Sequence, residues 1–238
     1  MYKRLPYLAL VCLMLLAIPS KAGPPGAVVQ GWNYDAVKNM LTVHVVNTSN
    51  KEITVYNLSV TVKFTDGTQS TSEIYNDYLP LMASIKVSPG LSAKYGNGAF
   101  IPGASRDEII LNTAPKPVSN VIADVDLVAY SDGLVDGSNK RALGHILARR
   151  KGELLALQKA NQIIKQSPDR KTAAAGLKRL ADVAHAENGS QPEGNMEVTL
   201  RGMADNIGAT SLADLAAEND AKIAFITPHT QLKEGGNQ

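Results

Sequence analysis

The run Val55-Tyr56-Asn57-Leu58-Ser59-Val60-Thr61-Val62-Lys63-Phe64-Thr65-Asp66-Gly67 decides the fold of this chain. From Leu58 onward, apolar Leu58, Val60, Val62 and Phe64 alternate with polar Ser59, Thr61 and Lys63. Successive strand side chains point to opposite faces, so a period of two marks a strand with one buried face and one wet face. Asp66-Gly67 then supplies the backbone freedom of a hairpin turn.

Working outward, Leu41, Val43 and Val45 alternate with Thr42 and His44 in the same way, and the polar run 47–51 reads as a turn. Further strands are expected over 28–34, 70–75, 81–87, 93–100, 108–112 and 118–130, with Ser88-Pro89-Gly90 and Asn97-Gly98 as turns between or within them. Aromatic residues mark where this habit stops. Nine lie between Trp32 and Tyr130, and only Phe225 follows. Strands favour aromatic and β-branched residues, so the first half reads as β and the second as helical. Short strands at this spacing predict an antiparallel β-sandwich over 23–132.

The second half, 138–227, predicts about four helices. Ser138 is placed to cap the first, whose Leu143, Ile146, Leu147, Leu154, Leu157 and Ile164 fall within an arc of about 100°. Arg150 projects into that apolar arc. Ser167-Pro168-Asp169 opens a second helix, which Asn188-Gly189 stops, and 189–194 is expected as a loop. Met196, Leu200, Met203 and Ile207 repeat at helical spacing before Gly208, and Ser211 with Asp214 resembles a capping box for the last helix. Residues 228–238 are expected as a flexible tail. The fold class is therefore α+β in two segments.

The arrangement resembles the small bacterial secreted β-sandwiches of immunoglobulin or fibronectin type III type. The residues that carry the likeness are Val45-Val46-Asn47-Thr48-Ser49, then the stretch from Val60 to Gly67, then Val87-Ser88-Pro89-Gly90. It covers about residues 26–132. The resemblance implies an immunoglobulin-like fold and a habit of binding, adhesion or accessory work.

The chain opens with Lys3-Arg4, an apolar run from Leu5 to Ile18, Pro19, and then Ser20-Lys21-Ala22. This is the pattern of a signal peptide over 1–22, cleaved near Ala22, and it implies a secreted or periplasmic protein. The single cysteine, Cys12, lies inside that leader. The exported chain then has no thiol, which excludes disulfide staples, thiol catalysis and zinc–thiolate sites.

Charge is segregated along the chain. Residues 23–137 carry 7 basic against 11 acidic residues, 138–180 carry 11 against 2, and 181–238 carry 3 against 9. One reading of the basic block is pairing with the acidic segments or with a second subunit. The other is an anion-binding face, with Ser138, Lys140, Arg141, Arg149, Arg150 and Lys151 at its centre. No aromatics are interleaved for base stacking, which argues against a nucleic-acid partner.

Candidate chemistry is thin. Asp124 and Asp126 lie two apart on a strand, opposite an apolar face of Val121, Ala123, Val125 and Leu127, and Asp132 and Asp136 follow. Four carboxylates near a strand end form a candidate calcium site. His44, His145, His185 and His229 show no metal spacing. There is no phosphate loop, dinucleotide fingerprint or nucleophile elbow, so no cofactor is expected. The reading is an exported, non-catalytic binding or cell-envelope accessory protein, with a protein or envelope polymer as partner and homo-oligomers formed through the helices. Two alternatives stand beside it: an exported enzyme with a carboxylate and histidine site at the seam between the halves, and a binder of anionic membrane or cell-wall surfaces.

Overall fold

The structure is a computed structural model that describes residues 26–111, 116–188, 195–208 and 210–234. The expected leader over 1–22 and the expected loop over 189–194 lie outside the described residues.

The strands are β1 (Ala27–Asp35), β2 (Met40–Asn47), β3 (Ile53–Phe64), β4 (Gln69–Asp77), β5 (Ser105–Leu111), β6 (Val118–Tyr130), β7 (Leu134–Gly137) and β8 (Lys233–Glu234). They form two sheets, a three-stranded one of order β1-β2-β5 and a second of order β4-β3-β6-β7-β8. All pairings are antiparallel except that of β8, two residues long, with β7. The alternation read from sequence places Leu41, Val43 and Val45 of β2 against Tyr56, Leu58 and Val60 of β3 and Val121, Val125 and Val128 of β6, in one core between the sheets.

β3 alternates only in its second half. Residues Ile53 to Leu58 are all buried, because here the sheet is covered on both faces. The cover is α3 (Lys140–Gln166): its Ala142 and Ile146 pack on Val55, Leu127, Ala129 and Val135. The switch of face inside β6 comes from a β-bulge. Asn57 pairs with Leu127 but Leu58 pairs with Val125, which leaves Asp126 as the extra residue. A bulge shifts the side-chain alternation by one, so Leu127 faces the helix while Val125 faces the core. The sequence expectation had put both on one face.

The expected strand over 81–87 is helical, within α1 (Leu79–Val87), and the one expected over 93–100 is helical at 93–95, within α2 (Ser92–Tyr95), while Phe100 makes an antiparallel bridge to Ile53. Pro80 suits a helix's first turn, Asp77 Oδ1 accepts the Leu79 amide at 3.1 Å, and Leu79, Met82 and Ala83 recur at i, i+3, i+4 and are buried. A short apolar run fits either period, and here the helical one wins.

The remaining helices are α4 (Arg170–Asn188), α5 (Asn195–Asn206) and α6 (Leu212–Ile226). Their caps differ in detail from expectation. Asn139, not Ser138, caps α3, its side chain accepting the Ala142 amide at 2.9 Å. Asp169 accepts the Thr172 amide at 2.7 Å and so starts α4, while Ser167 ends α3 by donating to the Ile163 carbonyl. Ser211 Oγ accepts the Asp214 amide at 3.0 Å, as the capping-box reading expects. The stretch from Pro228 is no tail over its described part. It forms a 3-10 turn, Thr227–Thr230, and then β8, which closes the edge of β7.

Candidate functional site at the seam

The two halves are fastened by Arg150. Its guanidinium holds both oxygens of Asp77 at the end of β4, each at 2.9 Å. It also donates to Thr54 Oγ1 at 3.2 Å and to the His229 carbonyl at 3.3 Å. Arg150 is 2% exposed and Asp77 9%. One side chain on α3 thus ties the sheet, the helices and the C-terminal turn together. Placing Arg150 on a basic outer surface is therefore corrected: a charge on an apolar helical stripe needs a buried partner, and Asp77 is that partner.

A second fastening starts at the bulge. Asp126 accepts from Asn57 Nδ2 at 2.8 Å and from Asn139 Nδ2 at 2.9 Å, which seats the cap of α3. Gly137 makes the close approach possible. Its φ is +115°, and a Cβ there would stand 2.2 Å from the Asp126 carbonyl oxygen. The four expected calcium carboxylates are thereby separated. Asp124 is exposed on β6 opposite Ser59. Asp132 pairs with Lys51 at 2.8 Å and accepts the Leu134 amide, and Asp136 accepts the Tyr130 hydroxyl at 2.7 Å. Among the described residues no three acidic, histidine or cysteine side chains converge as a metal site.

The other basic residues proposed for anion binding spread along α3. Ser138 uses its backbone, donating to the Asp126 carbonyl and accepting from Lys140. Lys140, Arg141 and Lys151 are exposed and Arg149 is half-buried. Arg141 and Arg149 flank His145, which stacks on Tyr75 at 4.5 Å. Burial and these two cations push the His145 pKa below its ordinary value. The basic block does pair with the acidic last segment in two places, Lys165 with Asp220 and Lys178 with Asp205. These pairs are exposed, so each contributes little to stability. The remaining histidines are scattered, His44 on Asp107, His185 on Glu197, and His229 against the Phe225 ring.

Beside the Arg150 fastening, α1, α3, α5 and α6 enclose a cleft of about 360 Å³. Its floor is apolar, with Leu157 and Ile226 buried and Met203 packed on them. Its polar lining includes Glu153, Glu218, Asn219 and Lys222. Glu153 of α3 is half-buried and has no hydrogen-bond or ion-pair partner among the described residues. Burial, then the charge of Asp77, push its carboxyl pKa up to about 7. Asn219 of α6 is 1% exposed, and both its amide nitrogen and its oxygen lack partners. Lys222, one turn further along α6, is half-buried and forms no ion pair among the described residues. A buried polar group left unsatisfied costs stability, on the order of 1–3 kcal/mol, so a helix that retains Asn219 does so against its own packing.

The sequence reading missed this cleft, although part of it is legible. Leu212, Leu215, Ala216, Ile223 and Ile226 form the apolar stripe of α6, and Asn219 interrupts it at helical spacing. Neither Asp124, Asp126 nor any histidine lines the cleft.

No protein-family model matches the chain, and no curated protein matches it. A 1.85 Å X-ray structure of a hypothetical protein from Peptoclostridium difficile 630 is similar at 13% identity, over 49% of this chain and 86% of that one, with a TM-score of 0.30. A likeness of that degree supports nothing about fold or function. No helix among the described residues is long and apolar enough to cross a membrane.

Proposed function

We propose that the protein is an exported, non-catalytic binding protein: an immunoglobulin-like sandwich of fibronectin type III type, with helices fastened to it and a ligand site in the seam cleft. The observation that carries this reading is the Asn219 amide, buried on the cleft wall with neither of its polar atoms partnered. Such a group is stabilised by a ligand that pairs with it. The strand order supports the sandwich type, since the fourth strand joins the third rather than the fifth and leaves sheets β1-β2-β5 and β4-β3-β6-β7. A binding role is favoured over catalysis because, among the described residues, no histidine lines the cleft and neither of its carboxyls, Glu153 and Glu218, holds a hydrogen bond to a hydroxyl that it could activate.

Native mass spectrometry of the protein recovered from the export compartment of its host tests this reading. The expected result is a chain that begins at Gly23 and carries a non-covalent adduct of small-molecule size, absent from Asn219→Leu. A chain that retains its leader, or one without an adduct, contradicts it.

A further inference from the structure

Resting on the reading of the seam cleft as a ligand site, we propose that its ligand is a short zwitterionic peptide with an apolar side chain, of about dipeptide size. The charged groups that line the cleft are the carboxylates Glu153 and Glu218 and one cation, Lys222, and none of them forms an ion pair with another. Opposite charges that share a partly dry cleft attract, so a geometry that holds them apart leaves room for a molecule carrying both complements. Asn219 lines the same cleft from α6, three residues before Lys222. Its amide has a free donor and a free acceptor, the pair that a peptide N–H and C=O satisfy together. The ligand's ammonium is thus set on Glu153, its peptide group on Asn219, its carboxylate on Lys222, and its side chain on the floor of Leu157, Met203 and Ile226. The cleft volume of about 360 Å³ suits such a molecule.

Other chemistries fit less well. A phosphate or other simple anion meets two carboxylates, Glu153 and Glu218, that line the same cleft. A sugar leaves the apolar floor and both charges without a partner.

The site carries its own pH dependence. The charged groups facing Glu153 are Asp77 from β4, Arg149 and Arg150 on its own helix, and Glu218 and Lys222 from α6. An ammonium ion at Glu153 favours the carboxylate, so binding near neutral pH releases a proton, and affinity falls as pH drops below 7.

The test uses the full chain with Cys12→Ser and Gly202→Cys, the new thiol carrying an environment-sensitive fluorophore at the cleft wall. A Cβ at Gly202 meets nothing within 4 Å. The probes are Ala-Leu, N-acetyl-Ala-Leu, Ala-Leu amide, maltose and inorganic phosphate. Ala-Leu is expected to give a saturable signal, with about tenfold or greater weakening on blocking either end. Glu153→Gln should erase the preference for the free amine, and Lys222→Met the preference for the free carboxylate. Asn219→Leu should abolish binding while raising the unfolding midpoint, because it removes an unsatisfied buried amide. A response to maltose or phosphate and not to the peptide overturns the ligand class and leaves the cleft as a site. Silence to every probe, with the label in place, overturns both.

Discussion

Replacing Arg150 with methionine removes the charge that meets Asp77 and leaves that carboxylate 9% exposed, with the Leu79 amide as its remaining hydrogen bond. The same change takes the donor from Thr54 Oγ1 and from the His229 carbonyl. Stranding one member of a buried pair costs about 3–5 kcal/mol, a large share of the roughly 5–15 kcal/mol that holds a domain folded. Urea unfolding measures the loss, and the midpoint is expected to fall by more than about 1 M at the slopes usual for small proteins. The double variant Arg150→Met with Asp77→Leu removes the stranded charge and should regain at least about 2 kcal/mol, since apolar replacement of a whole buried pair is often neutral. A single variant that loses less than about 1 kcal/mol, or a double variant no more stable than the single, would refute the view that this pair is the buried fastening of the two halves.

Three further outcomes follow from the geometry. Glu153 is raised to about 7 from an ordinary value near 4.5, so between those pH values the folded state binds more protons than the unfolded one and stability falls as pH rises. The cost is absent below about pH 4.5 and complete above about 7, on the order of 3 kcal/mol, and Glu153→Gln should flatten the slope in a pH series of unfolding midpoints. Asn139→Ala removes the α3 cap and the anchor on Asp126, and should cost about 1 kcal/mol with faster amide exchange confined to the first turn of α3. Gly137→Ala drives a Cβ into the Asp126 carbonyl oxygen at positive φ. It should destabilise by at least about 1–3 kcal/mol, and a stability within error of the parent chain would contradict the close approach of β7 to the bulge.

How far the sequence could be read depended on whether the deciding contact was local. β2 and the second half of β3 were legible because one face is core and the other is water, which writes a period of two into the residues. β6 misled in one respect, since the bulge at Asp126 leaves no mark in the spacing and moves Leu127 to the other face. α1 was read as a strand because seven apolar-rich residues satisfy either period. The decisive signals were Pro80 and the Asp77 side chain before it. Arg150 was visible as a cation on an apolar stripe, but its partner lies 73 residues earlier in the chain, and no local pattern names it. Asn47 and Asn57 are likewise buried polar residues, and Asn47 donates to the Lys51 and Phe100 carbonyls. Asn219 belongs to the same class as Arg150: a polar residue where the helical repeat calls for an apolar one. Such exceptions were the most informative residues of the second half.

The central claim is that sheets and helices form one body, closed by Arg150 and Asp77 around the cleft. The chain has a single tryptophan, Trp32, on β1 and 41% exposed, so its fluorescence reports the sheets while far-ultraviolet circular dichroism at the helical band reports α3 to α6. Both should trace one coincident unfolding transition in urea, and Arg150→Met should pull them apart. Two separate transitions in the unaltered chain would mean that the halves fold independently and that the cleft between them is not a built site.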